Sequence, residues 1–162
     1  MKRPRALLAS ALFLCLAPGT VAGLIPWWIS GWRLQPPFYG IPLIRWLGVL
    51  LIALGIPVLL ESFGRFAVEG LGTPAPILPT QHLVVQGFYR YVRNPMYVAV
   101  VSIILGQGLL LGNACVLLYA ALVWSAFHGF VLLYEEPRLR KTYGAEYEAY
   151  CRRVWRWMPR PL

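Results

Sequence analysis

The run Tyr97–Tyr134, YVAVVSIILGQGLLLGNACVLLYAALVWSAFHGFVLLY, holds no aspartate, glutamate, lysine or arginine. It is nearly twice as long as the roughly 20 apolar residues that cross a hydrocarbon core. Gly112-Asn113 near its middle is a turn signal, so the run predicts two helices, 95–111 and 114–134, that double back on each other. Pro95 suits the first turn of the earlier helix, because its missing N–H would have no intrahelical partner. Immediately before lies Gln81–Tyr97, QHLVVQGFYRYVRNPMY, which is polar, aromatic and doubly basic; immediately after come Glu135 and Glu136. Two clusters of opposite charge at the two ends of one apolar hairpin meet at the same membrane face. That face is where chemistry is expected.

Outward from the hairpin, the composition says the same. A chain of 162 residues that is 59% hydrophobic and 13% charged is too apolar for an ordinary soluble domain. Segments 7–29 and 41–63 are each long enough to span, which predicts a single all-α integral membrane domain, 1–162, of about four transmembrane helices. On that arrangement thirteen of the fifteen basic residues share one side and only Arg33 and Arg45 lie opposite. The positive-inside rule then makes both termini and the loop 64–94 cytoplasmic, in a multi-pass protein of the inner (cell) membrane if the source is bacterial. The net charge of +9 needs no nucleic-acid partner, since topology and anionic lipid, worth about 1 kcal/mol per nearby basic residue, account for it. Lys2–Arg5, the apolar stretch after it and Val21-Ala22-Gly23 imitate a signal peptide. Apolar sequence continuing through Leu24–Ile29 and its two tryptophans suits a span with an aromatic belt better. Cys15, Cys115 and Cys151 are scattered, with no metal-site or disulfide spacing. No feature of the sequence fixes an oligomeric state.

Several other residues carry expectations. Gly48 and Gly55 permit close helix approach in the second span, and Glu61 stands just before its inner boundary. The stretch 72–79, with three prolines, favours an extended path that is either a linker or a wall over a pocket. Trp124, His128, Val131 and Glu135, spaced four, three and four, fall on one helical face descending to the cytoplasmic boundary. Beyond Pro137, residues Leu139, Tyr143, Tyr147, Tyr150 and Val154 recur at helical spacing. They predict a cytoplasmic amphipathic segment within 135–159, broken at Gly144 and anchored by Trp155 and Trp157.

Read as binding groups, Arg90 and Arg93 can grip a carboxylate or phosphate. Tyr89, Tyr91 and Tyr97 can stack on a base or face a cation. Glu135 and Glu136 can take an ammonium or sugar hydroxyls. S-adenosylmethionine presents all of these features, and a dinucleotide uses many of the same groups; spacing alone leaves the two open.

Gly87-x-Tyr89, Arg93-Asn94-Pro95-Met96-Tyr97, Glu135-Glu136, Leu139, Tyr143-Gly144, Tyr147, Tyr150, Val154 and Pro159 together resemble the isoprenylcysteine carboxyl methyltransferase and phospholipid methyltransferase group of integral membrane enzymes. The likeness covers roughly 80–159. It implies an S-adenosylmethionine-dependent methyltransferase, with the donor held at the cytoplasmic face by segments 72–97 and 135–159 and a lipophilic or small acceptor entering from the bilayer. Carried over by position, it implies cofactor contacts from Gln81, His82, Leu83, Val84, Tyr89, Asn94, Pro95, Met96, Tyr97 and Glu135, to which Arg93 and Glu136 are added as motif neighbours. Asn94 stands where the group has histidine. Val131 stands where the prenylcysteine enzymes place an arginine for the substrate carboxylate, which argues against that substrate. For an acceptor that must lose a proton, His128 or Glu61 is the candidate base. Two other readings remain: an NADPH-dependent membrane reductase, and a non-catalytic lipid-binding or assembly subunit in which Arg93 and Glu135 form a structural ion pair.

Overall fold

A computed structural model describes residues 3–68 and 82–159. Gln81 and the proline-rich stretch 72–79 lie outside the described residues. Helix α1 (Arg3–Gly19) runs through a π-helical turn, Thr20–Leu24, into α2 (Ile25–Ser30). Then follow α3 (Leu43–Val68), α4 (Pro95–Leu111) and α5 (Ala114–Phe130). A second π-helical turn, Val131–Glu135, leads into α6 (Glu136–Tyr143), and α7 (Ala145–Arg153) comes last. Three stretches are long and apolar enough to cross a membrane, namely Ala11–Ser30, Leu43–Phe66 and Ala114–Tyr143, while Pro95–Leu111 is a shorter apolar helix. At 1.5 Å per residue its 17 residues rise about 26 Å, a little less than a hydrocarbon core. Leu43, Leu47, Leu50 and Leu54 on α3 and Leu118 and Leu122 on α5 are exposed on the bundle's outer surface, where only hydrocarbon would cover them without cost.

The hairpin forms as its sequence suggests. Gly112 closes α4 in the left-handed conformation, which a side chain rarely adopts, and the Asn113 side chain caps α5 by accepting from the Val116 N–H at 3.2 Å. Helices α3 and α4 pack most closely. A Cβ built on Gly48 would stand 2.6 Å from the Gly106 carbonyl, and one built on Gly106 equally close to the Gly48 carbonyl, so the missing side chains let the two backbones touch. The core of the bundle, around Ile104, Val116, Ala99 and Ala120, forms where α3, α4 and α5 meet.

Both π-helical turns have the same cause in sequence. Each ends one residue before an X-Pro step, at Pro26 and at Pro137. Proline donates no N–H, and its ring collides with the carbonyl four residues back, so a widened turn relieves the clash. In the first case the freed carbonyls are taken by neighbours: Gln107 Nε2 donates to Ala22 O at 2.6 Å, and the Tyr119 hydroxyl to Val21 O at 2.9 Å.

The span expected over 114–134 thus continues without a break through the π-helical turn into α6. The C-terminal helices then separate at Gly144, as the sequence suggests, and bury Tyr147, Tyr150 and Val154 in a small core of their own with Leu83, Leu139 and Tyr143.

Candidate functional site

Residues 82–94 pack against the C-terminal end of α3, where Tyr89 meets Phe66 edge-on, and the chain after α7 returns to clasp them. The Arg93 N–H donates to the Trp155 carbonyl at 2.8 Å, Val92 and Trp155 form a short parallel bridge, and Asn94 Nδ2 donates to the Arg156 carbonyl at 3.1 Å. Beneath this clasp the Tyr150 hydroxyl donates to the Tyr89 carbonyl at 2.6 Å. Arg93 and Asn94 therefore stand where they do because the C-terminal segment holds their backbone and side chains.

The two glutamates serve different partners. Successive helical residues point about 100° apart, and the widened turn ends at Glu135. Glu135 Oε2 accepts from the Tyr97 hydroxyl at 2.8 Å. Glu136 is buried and turns the other way, where Arg156 grips it through two bonds, at 2.6 and 3.0 Å, and Arg93 Nη1 stands 3.2 Å from Oε1. The Glu136 bonds hold the Arg156 guanidinium even more firmly protonated than usual. Arg93 also donates to Cys151 Sγ at 2.7 Å. The structural ion pair expected between Arg93 and Glu135 is thus replaced by a network centred on Glu136 that joins Arg93, Arg156 and, at 4.0 Å, Arg140, because the widened turn and the returning C-terminal segment bring Arg156 there. Arg156 is the participant that sequence reasoning missed; nothing in its local pattern distinguishes it from the other C-terminal arginines.

A cavity of about 70 Å³ with polar groups set in a partly apolar wall lies inside the clasp, lined among others by Leu83, Val84, Tyr89, Arg93, Asn94, Glu135 and Glu136. Two of its groups are buried polar atoms without a hydrogen-bond partner among the described residues, the Tyr89 hydroxyl and Arg93 Nε. Ser62, near Tyr89, donates its own hydroxyl to the Val58 carbonyl. Burial, reinforced by the negative charge of Glu135, pushes the Tyr89 phenol well above its ordinary range, and burial likewise raises Tyr147 and Tyr150, so all three stay neutral donors. On the membrane side lies a larger apolar cleft of about 440 Å³ between α1, α4 and α5, lined by Phe13, Val21, Val100, Phe127 and Phe130 among others. Met96 and Tyr97 also line it, and the Tyr97 hydroxyl reaches out of it to Glu135. The Tyr97–Glu135 bond is the partition between the two spaces.

The remaining sequence candidates are placed as follows. Pro95 and Met96 are buried at the start of α4. His82 is exposed, as are Arg90 and Tyr91, whose side chains pair with each other at 5.5 Å on the surface. Glu61 bonds Arg65 Nε at 2.7 Å under Gly87, where an added Cβ would stand 2.0 Å from Glu61 Oε1, and its Oε2 is buried without a partner among the described residues. His128 Nδ1 accepts from Trp157 Nε1 at 3.1 Å, with the Trp124 ring tilted against both, centroids 6.2 and 4.5 Å away. Of the stripe expected from Trp124 to Glu135, the upper half meets the C-terminal tail, Val131 is buried, and Glu135 meets Tyr97. No group of three or more metal-ligating side chains occurs among the described residues.

The same region carries the likeness to known proteins. The phospholipid methyltransferase family model matches residues 43–146, well over half of the chain. The protein-S-isoprenylcysteine O-methyltransferase of Schizosaccharomyces pombe is similar, at 38% identity over 73 residues, a stretch that is 44% of this chain but 30% of that relative. With the helical hairpin and the clasped polar pocket within or beside the matched range, the chain belongs to the phospholipid methyltransferase family of membrane methyltransferases.

Proposed function

We propose that the protein transfers a methyl group from S-adenosylmethionine, bound in the clasped polar pocket, to a lipophilic acceptor seated in the apolar cleft. The observation that carries this reading is the contact between the two spaces: Tyr97, which lines the apolar cleft, bonds Glu135, which lines the clasped pocket. The residues present fit the donor. Unpartnered Tyr89 and Arg93 atoms offer hydrogen bonds to hydroxyls or a carboxylate, and Glu135 offers negative charge to a sulfonium or ammonium. Bound there, the donor supplies a methyl group activated by positive sulfur. The protein's contribution is alignment, which by itself can provide on the order of 7 to 11 kcal/mol. A space of about 70 Å³ is too small for the whole donor, so its walls must part on binding.

Four spans with the clasp in the cytoplasm is the topology that goes with this reading, and it follows from the basic residues rather than from helix lengths. The reductase alternative draws no support from the family match, which is to phospholipid methyltransferases.

Calorimetry with S-adenosylhomocysteine, the donor's product, tests the reading on detergent-solubilised protein. Binding by the unaltered protein is expected, with a loss of at least about tenfold in Tyr89→Ala and Glu135→Ala, each of which removes a charged or charge-assisted contact. Affinity unchanged in both variants would remove the pocket from the donor's path.

A further inference from the structure

We infer that the Tyr97–Glu135 hydrogen bond is a proton relay at the meeting point of the two cavities, and that it fits the enzyme to acceptors whose head group carries a proton and no negative charge. The inference rests on the methyl-transfer reading above and adds the substrate class to it. Three observations carry it. The Tyr97 side chain lines the apolar cleft and is held there against Phe127, ring centroids 4.7 Å apart, while its hydroxyl donates out of the cleft to Glu135 Oε2 at 2.8 Å. Of the ten described residues that line the cleft, only Tyr97 has an ionisable side chain. Among the described residues, four basic groups near this end of the molecule are engaged elsewhere: Arg93 and Arg156 with Glu136, Arg65 with Glu61, and His128 with Trp157.

A carboxylate head group in this cleft would meet no cation among the described lining residues and would face Glu135 as a like charge across one tyrosine. Both effects disfavour the charged form. A hydroxyl, phenol or amine meets the reverse situation, because it can donate to the Tyr97 oxygen and its proton has somewhere to go. The step balances as follows. The acceptor's heteroatom forms its bond to the methyl carbon as the carbon–sulfur bond breaks, with the electron pair remaining on sulfur. The acceptor's proton passes to the Tyr97 oxygen while the Tyr97 proton passes to Glu135 Oε2. Tyr97 ends neutral, as it began, and Glu135 ends as a carboxylic acid. Tyr97 touches the acceptor and is the catalytic residue; Glu135 acts through it.

The test uses the full chain in lipid nanodiscs with methyl-labelled S-adenosylmethionine and two probes of equal chain length, a para-alkylphenol and a para-alkylbenzoate. Label is expected on the phenol and not on the benzoate. At saturating donor, Tyr97→Phe and Glu135→Gln should each lower kcat with the phenol by about 10²-fold or more, the range of a lost general base. Acceptor KM and the affinity of Tyr97→Phe for S-adenosylhomocysteine should stay within about threefold, which also shows that the variant is folded. The loss should shrink for nitro-substituted phenols, which need less help to lose the proton; a purely structural role would lower all phenols alike. Preferential labelling of the benzoate, or an equal loss across the phenol series, overturns the relay while leaving methyl transfer intact. Failure of the unaltered protein to bind S-adenosylhomocysteine would strike the donor reading itself.

Discussion

Glu135 and Glu136 are neighbours in sequence with opposite surroundings. Both line the clasped cavity, but Glu135 has one hydrogen-bond donor, in Tyr97, whereas Glu136 is buried and held by Arg93 and Arg156, with Arg140 4.0 Å away. The first arrangement leaves a carboxylate able to act on something else; the second spends it on the fold. Removing one partner from a buried ionic network leaves the others uncompensated, at a typical cost of about 3 to 5 kcal/mol. Glu136→Ala should accordingly lower the thermal midpoint of the detergent-solubilised protein sharply. Glu148→Ala, which breaks only the exposed contact with Arg140, should leave the midpoint unchanged. Similar midpoints for the two variants would mean that the Glu136 network does not hold the clasp. The motif was legible at this scale as a pair of glutamates, but which of them is structural was not, because that depends on Arg156, 20 residues further along.

The secondary-structure elements show how proline shapes the site. Pro137 widens the turn that carries Glu135, and Pro26 widens the matching turn in the first span, where Gln107 and Tyr119 take up the stranded carbonyls. Hydrogen bonds between membrane helices are worth about 0.6 kcal/mol on average and up to about 1.7. Gln107→Leu should cost an amount in that range on reversible unfolding in detergent. In a Pro26→Ala background, where the backbone regains its own donor for the same carbonyl, the same substitution should cost less. Equal costs in the two backgrounds would show that Gln107 does not compensate for the proline. The positions of both prolines were plain in the sequence. Their consequence was not, since a freed carbonyl says nothing about which distant side chain will satisfy it.

For the whole molecule, charge and packing set different things. The excess of basic residues on one side predicts that both ends face the cytoplasm, an orientation that can be measured directly. In a variant lacking the three native cysteines, Arg153→Cys should react with an impermeant maleimide in inside-out vesicles and resist it in intact cells. Labelling from the outside would reverse the topology and, with it, the side from which the donor arrives. The sequence by itself determined the helices and their hairpin, because 38 residues without a charged side chain have few alternatives and Gly112-Asn113 can only turn. It also marked the two polar clusters as neighbours, because a hairpin returns its ends to one level. Only the tertiary structure decided that Arg93 and Asn94 are held by the C-terminal segment, that Glu136 rather than Glu135 takes the arginines, and that Tyr97 stands between a polar pocket and an apolar cleft. The physical reason is range. Hydrophobic runs and turns act through near neighbours along the chain, whereas a buried charge settles on whichever partner the packing of remote segments brings within about 3 Å.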